Sequence, residues 1–233
     1  MPFFTWAPAC AIIRSLLPIL FLFMVSVTSL SGAPPLQAKR DPGFIAAAAL
    51  REAPARESSP AVLHGVNGKK SQNASVRVFW NDEALFFFFD CEDRGVVAPG
   101  REDGMDHFRL GDTVEVFIGR HGKPGYAEIH ATPAGKKSLY FFDGYRDRIA
   151  APAGADLVRV DADKRAGGWR AVISVPWSVI GGKSGGEGWD VFFGRYDYAA
   201  EGGSPVLSSF PVQRGPKPDF HRRADYAIML LAP

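Results

Sequence analysis

Cysteine is nearly absent: Cys10 and Cys91 are the only two in 233 residues. Cys10 lies in the N-terminal apolar segment, so the folded part keeps one thiol and a disulfide-stapled scaffold is excluded. Cys91 sits in "FFFFDCED", a run that supplies no cationic, accessible setting, and reads as a small core residue. A charge excess of either sign is also missing. The formal charge is +2, and beyond residue 38 the balance is 26 basic against 25 acidic residues. Such a chain builds no broad field for nucleic acid or an anionic membrane. H-E-x-x-H does not occur, and nothing in the sequence places a pair of glycosidase carboxylates at a defined separation. A helical apolar period is confined, after the N-terminal segment, to "FIAAAALREA".

Only one long apolar run is present. After Arg14 no charged residue occurs until Lys39, and "SLLPILFLFMVSV" has the composition of a secretory h-region. Small residues follow in "TSLSGAPPLQA", with candidate cleavage after Ala33 or Ala38. The run is shorter than the roughly 20 apolar residues of a spanning helix and is interrupted by Pro18. Residues 1–38 therefore read as a signal peptide, with an uncleaved membrane anchor as the alternative. The expected location is outside the cytoplasm, secreted or periplasmic. Residues 39–60 read as a linker or lead-in, and 61–233 as the folded domain.

Within that domain, strand-like runs are separated by short polar or Gly/Pro breaks: "SVRVFW", "ALFFFFDC", "DTVEVFI", "YAEIHAT", "SLYFFDGY", "LVRVDA", "WRAVISVPW", "WDVFFGRYDY" and "YAIMLLA". Short connections imply antiparallel pairing, and alternating rather than continuous apolar character favours a two-sheet sandwich over a parallel α/β sheet. The predicted fold is all-β, a two-sheet antiparallel β-sandwich. Alternation also assigns faces. Val114, Val116 and Ile118 share one side of their strand, and Glu115 and Phe117 the other. In "YAEIHAT" the polar side holds Tyr126, Glu128 and His130. If the two strands pair, one sheet face carries all of these groups and is a candidate ligand surface. The competing reading makes Glu115 structural, paired with a buried arginine such as Arg195 of "FFGRYD".

Six segments, "VRVFWNDEALFFFFDCED", "GDTVEVFIG", "YAEIHATPAG", "GGWRAVISVPWSVIGG", "WDVFFGRYD" and "FHRRADYAIMLL", resemble in order and spacing the family 9 carbohydrate-binding modules and their DOMON-like relatives. The resemblance implies a jelly-roll or DOMON-like sandwich without catalytic activity. It would bind sugar on one sheet face, often contain structural calcium, and accompany polysaccharide-degrading enzymes. It also implies that Glu115 accepts hydrogen bonds from sugar hydroxyls, with Glu128 and His130 as the polar positions of the next strand. A stacking aromatic falls at Phe108, or is displaced by Arg109, and a second falls near Phe210. Clustered carboxylates in and around the loop after the second strand, with Asp90, Asp93, Asp103 and Asp106 as candidates, suit calcium by their hard oxygen donors. Some DOMON-like relatives bind haem, for which Met105, His107 and His130 are the candidates. A sandwich that has lost its sugar site is the remaining alternative.

Overall fold

The computed structural model describes residues 34–54, 59–183, 188–213, 215 and 217–233. The apolar run read as a signal lies outside these residues. Among the described residues no helix is long and apolar enough to cross a membrane. In chain order the elements are β1 (Leu36–Arg40), α1 (Ala46–Arg51), β2 (Ala61–Gly65), β3 (Ala74–Trp80), β4 (Ala84–Glu92), β5 (Thr113–Arg120), β6 (Tyr126–Ala131), β7 (Lys137–Phe142), β8 (Arg148–Ile149), β9 (Arg159–Arg165), β10 (Gly168–Pro176), β11 (Trp189–Asp197), β12 (Val206–Phe210) and β13 (Ala227–Ala232).

Two layers result. β8, β7, β6, β5 and β11 lie side by side in one, and β9, β10, β4 and β3 in the other, with each neighbouring pair antiparallel. Two bridges join the layers along one edge. The C-terminal half of β11 pairs β12, which leads through β2 to β3; its N-terminal half pairs β13, which leads through β1 to β3. The predicted antiparallel sandwich is the observed one, with parallel pairing at β1.

That strand corrects the expected domain boundary. Lys39 and Arg40, at the start of the segment read as a linker or lead-in, belong to the folded unit, because Leu36–Arg40 adds to β13 and β3 and Ala38 is fully buried. Trp80 Nε1 donates to the carbonyls of Ala38 (3.1 Å) and Ala232 (2.9 Å), tying β1 and β13 to β3. Cleavage after Ala33 leaves this strand whole; cleavage after Ala38 would remove three of its five residues.

The inner faces make the main core, where Val114, Val116, Ile118, Phe87, Phe89, Trp169, Trp189 and Phe193 interdigitate. Each such side chain stabilises by about 1.5–3 kcal/mol on full burial. The run of four Phe residues splits by parity. Phe87 and Phe89 meet Phe193 edge-on at 5.9 and 6.1 Å. Phe86 and Phe88 face outward and are covered by the α1 segment, with Phe44 stacked on Phe86 at 4.6 Å and Ala49 and Leu50 over Phe88. Arg170 closes the end of α1 by donating to the carbonyls of Leu50 and Arg51. The "NDE" break is a turn in which Asn81 Oδ1 accepts the N–H groups of Glu83 and Ala84, both at 2.9 Å. Cys91 lies in the inner core, and burial pushes its thiol up to about 12.

Candidate functional site

The outer face of the β5–β6–β7–β11 layer carries the other half of each alternation. Glu115 stands between His130 on β6 and Gly194 on β11, and Glu128 between Phe117 and Tyr140. Around them Phe117, Tyr126, Tyr140, Phe142 and Phe192 form an aromatic sheet surface. Water would be a poor neighbour for so much apolar area, and the segment before β13 folds over it. Phe220 packs on Phe192 at 5.1 Å, Tyr226 stacks on Phe192 at 5.5 Å, and His221 meets Phe142 and Phe117 edge-on at 5.2 and 5.4 Å. Gly194 makes room for this cover. A Cβ at that position would come within 2.7 Å of the Phe220 ring and 3.1 Å of Glu115 Oε2.

At the centre, His130 is fully buried, with Nε2 2.7 Å from Glu128 Oε1 and 3.0 Å from Glu115 Oε1. Burial alone would depress this imidazole, but the two carboxylates outweigh it and push the group up to about 10. Glu115 is raised by burial against the opposing pull of His130. Two buried atoms of the cluster, Glu115 Oε2 and His130 Nδ1, have no hydrogen-bond partner among the described residues. Beside them Tyr126 Oη lies 2.8 Å from His221 Nδ1, and His221 Nε2 lies 3.7 Å from Glu128 Oε2. Burial holds His221 below the usual imidazole range. Asp219 anchors the covering segment, accepting from Tyr145 Oη (2.7 Å), Arg146 Nη2 (2.9 Å) and the His221 N–H (3.2 Å).

A cavity of about 240 Å³ opens over this cluster. Phe108, Phe117, Tyr196 and Phe220 form aromatic walls, Glu115, Glu128 and His221 supply polar groups, and Arg109 and Arg146 also line it. Phe108 stands edge-on to His130 at 5.7 Å, and the exposed Arg109 guanidinium lies 5.2 Å from the Phe108 ring centroid. The sequence-predicted set Glu115, Glu128, His130, Phe108 and Arg109 is thus brought together.

The other candidates are placed elsewhere. Phe210 stacks on Phe193 at 6.1 Å against the inner core, and Tyr196 and Phe220 supply the aromatic walls in its stead. Arg195 does not meet Glu115, because the two have opposite parity across the register Gly194–Glu115. It points inward, where Nη2 lies 3.3 Å from Asp93 Oδ2 and 3.4 Å from Asp197 Oδ1.

The four calcium candidates do not converge. Asp90 pairs with Arg165 and Arg170, Asp103 caps the Lys137 N–H, and Asp106 accepts from Tyr140 Oη. Asp93 does gather with Asp112 and Asp197, their donor atoms lying within 4.8 Å of one another. However, every oxygen of the trio already has a protein donor: Gly95 N–H and Arg195 at Asp93, Tyr198 and Val97 N–H at Asp112, and Gln72 and Arg195 at Asp197. The guanidinium supplies the positive charge, so the residues present do not fit a calcium ion. For haem, His130 Nε2 is engaged by two carboxylates and Met105 is an exposed side chain whose carbonyl accepts from Ser138.

Sequence reasoning missed His221, Asp219, Phe220 and Tyr196. Tyr196 shares parity with Gly194 and could have been assigned from "FFGRYD"; the other three lie on a covering loop without periodicity. A larger concavity of about 650 Å³ lies beside the Asp93 cluster, where Tyr198 is its one aromatic lining residue.

No family model matches the chain, and no curated protein matches it. Solved structures do. A candidate carbohydrate-binding protein from Bacteroides uniformis aligns with a TM-score of 0.70 at 16% identity, over 84% of this chain and 98% of that one. A family 9 carbohydrate-binding module from Caldicellulosiruptor kristjanssonii in complex with cellotriose aligns at 0.59 and 11% identity, over 84% and 92%. A family 9 module of the same organism in complex with glucose aligns at 0.54 and 14%, over 75% and 84%. At these identities the likeness is one of fold, and the fold is that of the family 9 modules.

Proposed function

We propose that this chain is an exported, non-catalytic carbohydrate-binding module that takes one sugar unit, at a free end or as a monosaccharide, in the cavity over Glu115 and Glu128. The observation that carries the reading is the combination of aromatic walls with a buried, unpartnered carboxylate oxygen, Glu115 Oε2, in one cavity. Pyranose rings have apolar C–H faces that pack on aromatic rings and hydroxyl rims that require paired hydrogen bonds. Phe108, Tyr196 and Phe220 offer the faces; Glu115 and Glu128 accept from the rim. At about 240 Å³ the cavity is smaller than the roughly 300–1,000 Å³ typical of drug-sized ligands, which suits one ring. The fold neighbours captured with cellotriose and glucose support the same class of ligand. Both carboxylates share His130, which engages the acid pair that a glycosidase would need free.

Calorimetric titration with mono- and oligosaccharides tests this. A saturable heat that disappears in Glu115→Gln and falls in Phe220→Ala is expected. Flat titrations across gluco-, xylo-, manno- and galacto-configured sugars would overturn it.

A further inference from the structure

The polar groups of this cavity have a second property that sugar recognition does not require. Glu115, Glu128 and His130 point their donor atoms at one spot, with all three within 4.8 Å of one another. His130 Nε2 alone is approached by two carboxylate oxygens, at 2.7 and 3.0 Å. One N–H can align well with one acceptor, so two carboxylates crowding the same nitrogen is poor hydrogen-bond economy in a fully buried site. Converging donors of this kind also suit a divalent ion. Donors about 2.0–2.1 Å from tetrahedral zinc stand roughly 3.3 Å from one another, close to the separations observed here. His221 Nε2, at 3.7 Å from the second oxygen of Glu128, lies on the cavity side outside this group of three and joins it only by a small shift of the covering segment. Its other nitrogen is held by Tyr126 Oη at 2.8 Å, the outer contact that orients a ligating imidazole. Glu115 Oε2, buried and without a partner, is a further oxygen facing no protein donor.

We infer that Glu115, Glu128 and His130 form a binding site for a divalent transition-metal ion of the zinc class at the floor of the cavity, which His221 completes by closing onto the ion. Imidazole nitrogen in the donor set selects zinc, cobalt, nickel or copper over calcium and magnesium, which favour all-oxygen shells. The covering segment that brings His221 would then be pinned to the sheet by the ion as well as by Phe220. Sugar and metal are separable, since sugar titrations can be run on metal-stripped protein.

The test uses the full mature chain, stripped with EDTA and titrated with zinc chloride, with calcium chloride as the control. One zinc per chain is expected, with calcium giving no heat, and cobalt(II) should develop visible ligand-field bands. His130 is fully buried and its removal endangers folding, so His221→Ala, at a partly accessible side chain, is the diagnostic variant. It should weaken zinc by more than about tenfold, in line with the loss of a ligand or its support, with an unchanged circular dichroism spectrum. Glu115→Gln should do the same. His121 pairs with Asp190 at the surface and is the alternative zinc contact. Zinc binding abolished by His121→Ala but unaffected by His221→Ala would overturn the assignment, as would no binding at millimolar zinc.

Discussion

Replacing Arg195 by Met should expose how the inner carboxylate cluster is held. The guanidinium is fully buried and donates to the carbonyls of Glu92 (2.8 Å) and Asn73 (3.3 Å) besides facing Asp93 and Asp197. Methionine fills much of the volume but leaves three buried carboxylates without a counter-charge. Breaking a buried pair by removing one partner costs about 3–5 kcal/mol. For a domain of this length that is a fall in Tm of about 6–20 °C at 2–4 °C per kcal/mol. The loss should depend on pH. Burial, aided by Asp93, already pushes Asp112 up to about 7, against the pull of Arg195 and of two backbone N–H donors. A carboxyl raised in the folded state penalises folding above its folded value and ceases to do so as pH falls toward its unfolded value of 3.8. Without Arg195 the raised value climbs further, so the deficit of the variant should be largest at pH 8 and shrink steadily toward pH 5. Denaturant titrations of both proteins at four pH values measure this. Millimolar calcium should stabilise the variant and leave the wild type unmoved. A deficit that is constant from pH 5 to 8, or under about 1 kcal/mol throughout, would refute the view that the guanidinium is the internal cation of this cluster.

Two further outcomes follow from close packing and burial. Gly194→Ala places a methyl 2.7 Å from the Phe220 ring, and should destabilise by about 1–3 kcal/mol; thermal melts check the stability, and sugar titration should show weaker binding as the covering segment is displaced. Cys91 should resist thiol reagents in the native folded domain, because burial raises its thiol to about 12, and should react only on unfolding; fast labelling of Cys91 in the folded protein would contradict its assignment to the core.

The sheet faces were legible because parity is a local property. "DTVEVFI" and "YAEIHAT" each state which residues share a side, and the structure puts Glu115, Glu128 and His130 on one face. Pairing was less legible, since the register that sets Glu115 against both His130 and Gly194 depends on strands far apart in sequence. Parity was also readable in "FFGRYD", where Phe193, Arg195 and Asp197 alternate with Phe192, Gly194 and Tyr196. Following it would have sent Arg195 inward. The strand Leu36–Arg40 was hidden for a different reason. Its five residues carry two charges, and its partner Met229–Ala232 lies at the opposite end of the chain. Phe210 was chosen by motif order. The aromatic that reaches the cavity is Phe220, ten residues on, in a loop placed by Asp219 and Gln213 rather than by strand geometry.

The layer that contains β5 bears a carboxylate cluster on each side, and their different states of satisfaction separate scaffold from site. Inward, Asp93, Asp112 and Asp197 have a donor on every oxygen and an arginine among them, and only the Nε of that arginine is left without a partner. Outward, Glu115 keeps a buried oxygen without a donor beside a histidine with a bare ring nitrogen. An unsatisfied buried polar atom costs roughly 1–3 kcal/mol, and an incoming hydroxyl or metal ion recovers that energy on binding. The smaller, aromatic-walled cavity therefore has an open carboxylate acceptor beside it that the trio next to the larger concavity lacks, even though the latter has nearly three times the room, about 650 against 240 Å³.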